Sequence, residues 1–138
     1  MNLTIIPTRH VDYAWCDGAN LLGESCEREC TPDQLKMILA RGERILVRMD
    51  VPIEGTDKFK TVGWGAYRID QLPNLRVLFV TNLWARNAHF ERFIGELKNL
   101  AQINGCSVIR CAAKELQERI YRQKLGMQPV YRVLELEV

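Results

Sequence analysis

The residues able to do chemistry in this chain are few and scattered. His10 and His89 are its two histidines, and Cys16, Cys26, Cys30, Cys106 and Cys111 are its five cysteines. Cys26 and Cys30 stand one helical turn apart, with His10 the nearest histidine, yet the paired Cys-x-x-Cys spacing of a zinc site is absent. No metal centre is expected, and the thiols read as buried or incidental. There is no Gly-x-Ser-x-Gly nucleophile elbow and no glycine-rich nucleotide loop. The most suggestive stretch is "TNLWARNAHFERFIGELKNLAQINGC", Thr81 to Cys106, where the end of a strand runs into a long amphipathic helix. Its junction "WARNAHF" is the kind of place where α/β proteins hold a phosphate, because unpaired N–H groups and the helix dipole meet there. Arg86, His89 and Arg92 can add side-chain charge. His89, at the helix start, is also a candidate base. Asp12, Asp17, Glu24, Glu27 and Glu29 form an acidic first quarter. They either attract a cationic amine or make a solvated face.

Composition bounds what these residues can belong to. The 138 residues fit one domain with a real core, 1–138. Apolar residues at 47% and charged residues at 26% describe an ordinary globular protein. A net charge of +2 without any basic block gives no reason to expect nucleic acid as a partner. No run approaches the ~20 apolar residues of a membrane span, so no membrane association is expected. The odd cysteine count and the lack of a secretory lead-in suggest free thiols and a cytoplasmic setting.

The elements that must position these groups follow from period and punctuation. "NLTIIP" predicts a short strand ended by Pro7. Thr8 can cap a first helix carrying Val11, Ala14, Trp15, Leu22 and Cys26, weakened by Gly18 and Gly23. "TPDQ" predicts a second helix with a capping box from Thr31 and Gln34 and Pro32 in the first turn, closed by Gly42. Three strands follow, "RILVRMDVPI", "KTVGWGAYRID" and "LRVLFVTNLW", joined by short polar turns as an antiparallel meander. Val62, Trp64, Ala66 and Arg68 alternate along the second. A helix from about Ala88 to Asn104, with Asn87 as cap, buries Phe90, Phe93, Ile94, Leu97, Leu100 and Ala101 and ends at Gly105. "CSVIRCAA" is a strand reached by a parallel crossover. "KELQERIYRQKLG" is the last helix, and "PVYRVLELEV" a final strand.

This order of elements, with "NLAQINGCSVIRC" and "YRQKLGM", resembles the GNAT N-acetyltransferase superfamily over nearly the whole chain. Short, divergent members encoded by bacteriophages come closest in character. The resemblance implies an α+β fold, with a mixed, mostly antiparallel sheet of about six strands flanked by four helices. It implies acetyl-CoA as the cofactor and an amine on a small molecule or protein as acceptor. The fourth and fifth strands would part. The thioester carbonyl would meet backbone N–H groups around Thr81, Asn82 and Leu83, and the pyrophosphate would sit on Arg86, Asn87, Ala88 and His89. Tyr121 would reprotonate the leaving thiolate.

Three departures keep a second reading open. The family loop Arg/Gln-x-x-Gly-x-Gly/Ala falls here on Ala85, Ala88 and Phe90, which lose the close approach that glycine permits. Phe90 either blocks the phosphates or points into the core. Tyr121 stands five residues before Gly126, with Arg122 in the usual place, and one residue is about 100° of helix. Only twelve residues follow Gly126, enough for one strand of the usual hairpin, so a sheet edge is open for self-association or a protein partner. The alternative is therefore a GNAT-fold module without catalysis, as an interaction or structural protein. If phage-encoded, it would be a virion component or a modulator of a host protein in the host cytoplasm.

Overall fold

The computed structural model describes residues 2–86 and 89–138. Its elements are β1 (Asn2–Ile6), α1 (Val11–Cys16), a 3-10 segment (Ala19–Ser25), α2 (Pro32–Ala40), β2 (Ile45–Pro52), β3 (Phe59–Leu72), β4 (Leu75–Ala85), α3 (Phe90–Ile103), β5 (Val108–Cys111) and α4 (Glu115–Leu125). One sheet carries the strands in the order β1-β2-β3-β4-β5. All pairs are antiparallel except β4–β5, which is parallel across the α3 crossover.

The sheet separates two apolar layers. On one face Ile6, Val11, Leu22, Leu35, Leu39 and Trp64 pack beneath α1 and α2. On the other, Val47, Met49, Tyr67, Leu78, Phe93 and Leu97 pack beneath α3. A Cβ on Gly63 would lie 2.6 Å from Cε2 of Phe93, so glycine lets α3 sit directly on the sheet. The α2 start is as the sequence indicates. Thr31 Oγ1 accepts from the Gln34 amide at 3.2 Å, and Gln34 Oε1 accepts from the Thr31 amide at 2.9 Å.

Several expectations need correction. The first helix stops at Cys16. The chain turns through Gly18 at φ 136° into the 3-10 segment, and no side chain caps the helix start. In β3 the alternation breaks at Val62. Met49 pairs with Gly63 and Asp50 with Thr61, so Val62 is an extra residue that turns into the α3 layer while Trp64 and Ala66 face α1 and α2. The α3 helix begins at Phe90, and the expected cap Asn87 lies outside the described residues.

The sheet has five strands, not six. "PVYRVLELEV" has no secondary structure, and Val133, Leu134 and Leu136 are each 88% exposed. Alternating apolar residues make a strand only when an edge accepts them. The tail is tied to the domain by an ion pair between Glu135 and Arg28.

Candidate functional site

The site begins with a register fault. Ala66 pairs with Asn82 and Tyr67 with Val80, which leaves Thr81 as an extra residue in β4. Thr81 Oγ1 donates to the Ala66 carbonyl at 3.2 Å and fixes the bulge. Val80 and Asn82 should share a face at a spacing of two. The bulge sends them to opposite layers instead: Val80 into the core under α3, and Asn82 to the side of the 3-10 segment. The pairing of β4 with β5 also ends here, at Val80 and Cys111, while β4 runs on to Ala85. β5 ends as a strand at Cys111, and the chain beyond it, Ala112 to Lys114, lines a cavity together with Thr81, Asn82 and Leu83, so the two do not stay side by side. Along 81–85 the amides on the β5 side of β4 have no strand partner among the described residues.

The parting opens a cavity of about 1080 Å³ that reaches both faces of the sheet. That is at the upper end of the ~300–1,000 Å³ of small-molecule sites, suited to a long ligand. Thr81, Asn82 and Leu83 form its inner wall, with Phe90 and Ile94 of α3 and Tyr121 of α4.

The expected anion residues are placed as follows. The Arg86 amide donates to the Val62 carbonyl at 3.0 Å, and the His89 amide to the Arg86 carbonyl at 2.9 Å. Those two backbone donors are thus engaged within the chain, and only their side chains are free to serve a ligand. Asn87 and Ala88 lie outside the described residues. His89 Nδ1 is buried and finds no hydrogen-bond partner among the described residues. Among the described residues no side chain caps α3, and its first-turn amides, from Phe90 to Arg92, have no acceptors within the helix.

Tyr121 lies on the cavity wall, whereas Arg122 is exposed and off it. The reason is the helix end. Gly126 is left-handed at φ 67°, and the amides of Gly126 and Met127 both close on the Tyr121 carbonyl. The Tyr121 ring stacks on Phe90 at 5.5 Å. Phe90 thus turns along the cavity wall and is half-buried, outside the fully buried core. Burial pushes the Tyr121 phenol above its ordinary value, and the neighbouring Cys111 adds to the shift. Burial likewise raises the Cys111 thiol. Both groups hold their protons at neutral pH.

The opposite side of β4 carries a polar network that residue spacing did not reveal. Asn82 Nδ2 donates to Ser25 Oγ at 3.0 Å, and Ser25 Oγ donates to the Leu22 carbonyl at 2.6 Å. Arg44 donates to Asn82 Oδ1 over a long 3.4 Å. Trp84 Nε1 donates to Glu24 at 3.2 Å. Arg68 lies over the Phe79 ring at 4.3 Å and pairs with Asp70 at 2.9 Å. The sequence singled out Asn82, for its backbone, and Glu24, for its charge. The others are distant in the chain and belong to no motif.

His10 is exposed. Burial raises the Cys26 thiol, with Cys30 beside it adding to the shift. All five cysteines are free. Among the described residues no three His, Cys, Asp or Glu side chains converge as metal ligands, and no helix is long and apolar enough to cross a membrane.

No family model and no curated protein matches the sequence. Solved structures match its fold. A ribosomal-protein-alanine N-acetyltransferase from Brucella melitensis biovar Abortus 2308 superposes with a TM-score of 0.68 at 12% identity, covering 100% of both chains. An aminoglycoside 6'-N-acetyltransferase from Acinetobacter baumannii gives 0.64 at 12% identity, covering 99% of this chain and 97% of its own. A predicted acetyltransferase from Clostridium acetobutylicum, solved with acetyl-CoA, gives 0.64 at 17% identity, covering 99% and 95%. These likenesses establish the architecture: the chain has the fold of the GNAT acetyltransferases.

Proposed function

We propose that this domain is an acetyl-CoA-dependent N-acetyltransferase acting on an amine. The observation that carries the reading is the parting of β4 from β5 beyond Val80 and Cys111, which exposes a strand edge inside a cavity that also holds Tyr121. The residues fit the cofactor. The edge of Thr81, Asn82 and Leu83 offers amide donors for a thioester carbonyl. The first turn of α3, with the side chains of Arg86 and His89 before it, suits a pyrophosphate. The buried Nδ1 of His89, which has no hydrogen-bond partner among the described residues, is a further polar atom there.

When bound, acetyl-CoA supplies an activated acyl group. The remaining work falls to the chain. The open strand edge orients the carbonyl between the sheet faces. Tyr121, held protonated by burial, serves as the acid that donates its phenolic proton to the departing sulfur. The amine approaches from the α1 and α2 side and gives up its proton to water.

Acetyl-CoA at millimolar concentration should raise the melting temperature, because a ligand that binds only the native state stabilises it. A folded protein whose melting point does not move across that range is not this enzyme.

One observation favours a second reading, a GNAT-fold module that binds a protein without catalysis. The tail beyond Met127 exposes Val133, Leu134 and Leu136, and β5 is the last strand in the sheet order. That reading expects self-association or a stable partner. It loses its support if the chain sediments as a monomer and shortening it after Met127 changes nothing.

A further inference from the structure

Resting on the transferase reading, we infer that Arg44 is an anion anchor on the acceptor side of the cavity, and that the acceptor is an amine carrying a carboxylate a few bonds away, as an α-amino acid does. Arg44 lines the cavity and is half-buried. Of the other arginines and lysines that line this side of the cavity, Arg68 pairs with Asp70, Lys114 with Glu27, and Arg28 with Glu135. Arg44 has no carboxylate partner among the described residues. Its one side-chain bond is the long contact to Asn82 Oδ1. A guanidinium has five donors, so most of this fork is open. Leaving such a cation half-desolvated is unfavourable unless something completes it, and a carboxylate matches the fork in two parallel bonds.

Position selects the ligand. Asn82 fixes Arg44 from one side and Ser25 holds Asn82 from the other, so the guanidinium is tied to the β4 residue whose backbone borders the slot. An anion on Arg44 therefore lies close to the acyl group, within the span of a small amino acid. It is not the cofactor's phosphate. The α3 start belongs to the opposite layer of the sheet from the 3-10 segment that Asn82 reaches. The same side of the cavity can take the amine's charge: Glu27 is paired with Lys114 and Glu24 accepts from Trp84, but Glu29 lines the cavity and is in no ion pair among the described residues.

The test uses the whole chain and product-like probes, N-acetylalanine and N-acetylglutamate, each against its carboxamide, followed by calorimetry without CoA. The acids should bind about tenfold or more tightly than the amides. Arg44→Gln should bind acid and amide alike, Arg44→Lys should fall between, and the melting shift with acetyl-CoA should be the same in all three proteins. Equal binding of acid and amide to the wild type, no binding of either, or discrimination that survives in Arg44→Gln overturns the inference. If Arg44→Gln does not fold, the acid-against-amide comparison on the wild type still decides. A protein that shifts with acetyl-CoA but ignores carboxylates refutes the anchor and leaves the transferase standing. One that binds carboxylates through Arg44 but not acetyl-CoA refutes the transferase.

Discussion

The ring of Phe90, the first residue of α3, lies 5.5 Å from the ring of Tyr121 on α4 and only 12° from parallel to it. No residue of α4 is fully buried, so this stack is one of the few ties between that helix and the rest of the domain. It also shelters the phenol on the cavity wall. Replacing Phe90 with Ala should loosen α4 and destabilise the fold by about 1–3 kcal/mol, from the lost aromatic pair and partial burial. It should also let the Tyr121 phenol fall back towards its ordinary value, seen by ultraviolet titration. An unchanged titration would mean that the stack does not desolvate Tyr121.

Tyr121→Phe separates chemistry from packing. The ring and its stack persist, so stability should change by less than about 1 kcal/mol. Acetyl-CoA should still raise the melting temperature. The acetyl-transfer rate should fall by about 10²-fold, the lower end for loss of a general acid. A full rate in this variant would take Tyr121 out of the mechanism.

Asn82→Ala removes the bracket between β4, Ser25 and Arg44. Asn82 is 7% exposed and bonds both partners. Its loss leaves Ser25 and Arg44 under-satisfied and should cost about 1–3 kcal/mol in urea denaturation. A variant as stable as the wild type would show the network to be energetically idle.

How far the sequence foreshadowed this depends on the range of each interaction. The α2 start was legible because Thr31, Pro32 and Gln34 act within one turn. Phe93 and Leu97 were legible because a period of 3.6 needs only one helix face. The sixth strand was not, because alternation at Val130 to Val138 says nothing about whether an edge will pair with it. The bulges at Val62 and Thr81 are facts of register between two strands, and no single strand encodes them. That is why the parting of β4 from β5 could be expected only by resemblance. Arg44 and Ser25 reach Asn82 across 38 and 57 positions, so no local motif could announce them. The phase of Tyr121 became clear only once Gly126 was seen to close on its carbonyl.

The buried thiols and phenols set a pH dependence. The Cys26 and Cys111 thiols are pushed above their ordinary 9.0, and the Tyr67 and Tyr121 phenols above 10.0, burial being the main cause in each. Each group holds its proton more tightly in the folded chain. As pH climbs, the unfolded chain releases protons first and binds fewer than the native state. Stability is then fully present below about pH 9 and falls as pH rises through the raised values. The urea midpoint should decline over that range, and less steeply in Cys111→Ser and Tyr121→Phe. A midpoint that holds level or rises would contradict this.

The central claim is that the amide edge of β4 beyond Val80 receives acetyl-CoA, and hydrogen exchange reads that edge directly. Without ligand, the outward amides of 81–85 should exchange quickly, because no strand covers them. With saturating acetyl-CoA they should slow, together with the first turn of α3, while the amides of β1 and β2 stay as they were. If exchange along 81–85 is already slow in the free protein, or is unaltered by acetyl-CoA, the strands do not part to admit the cofactor and the account fails.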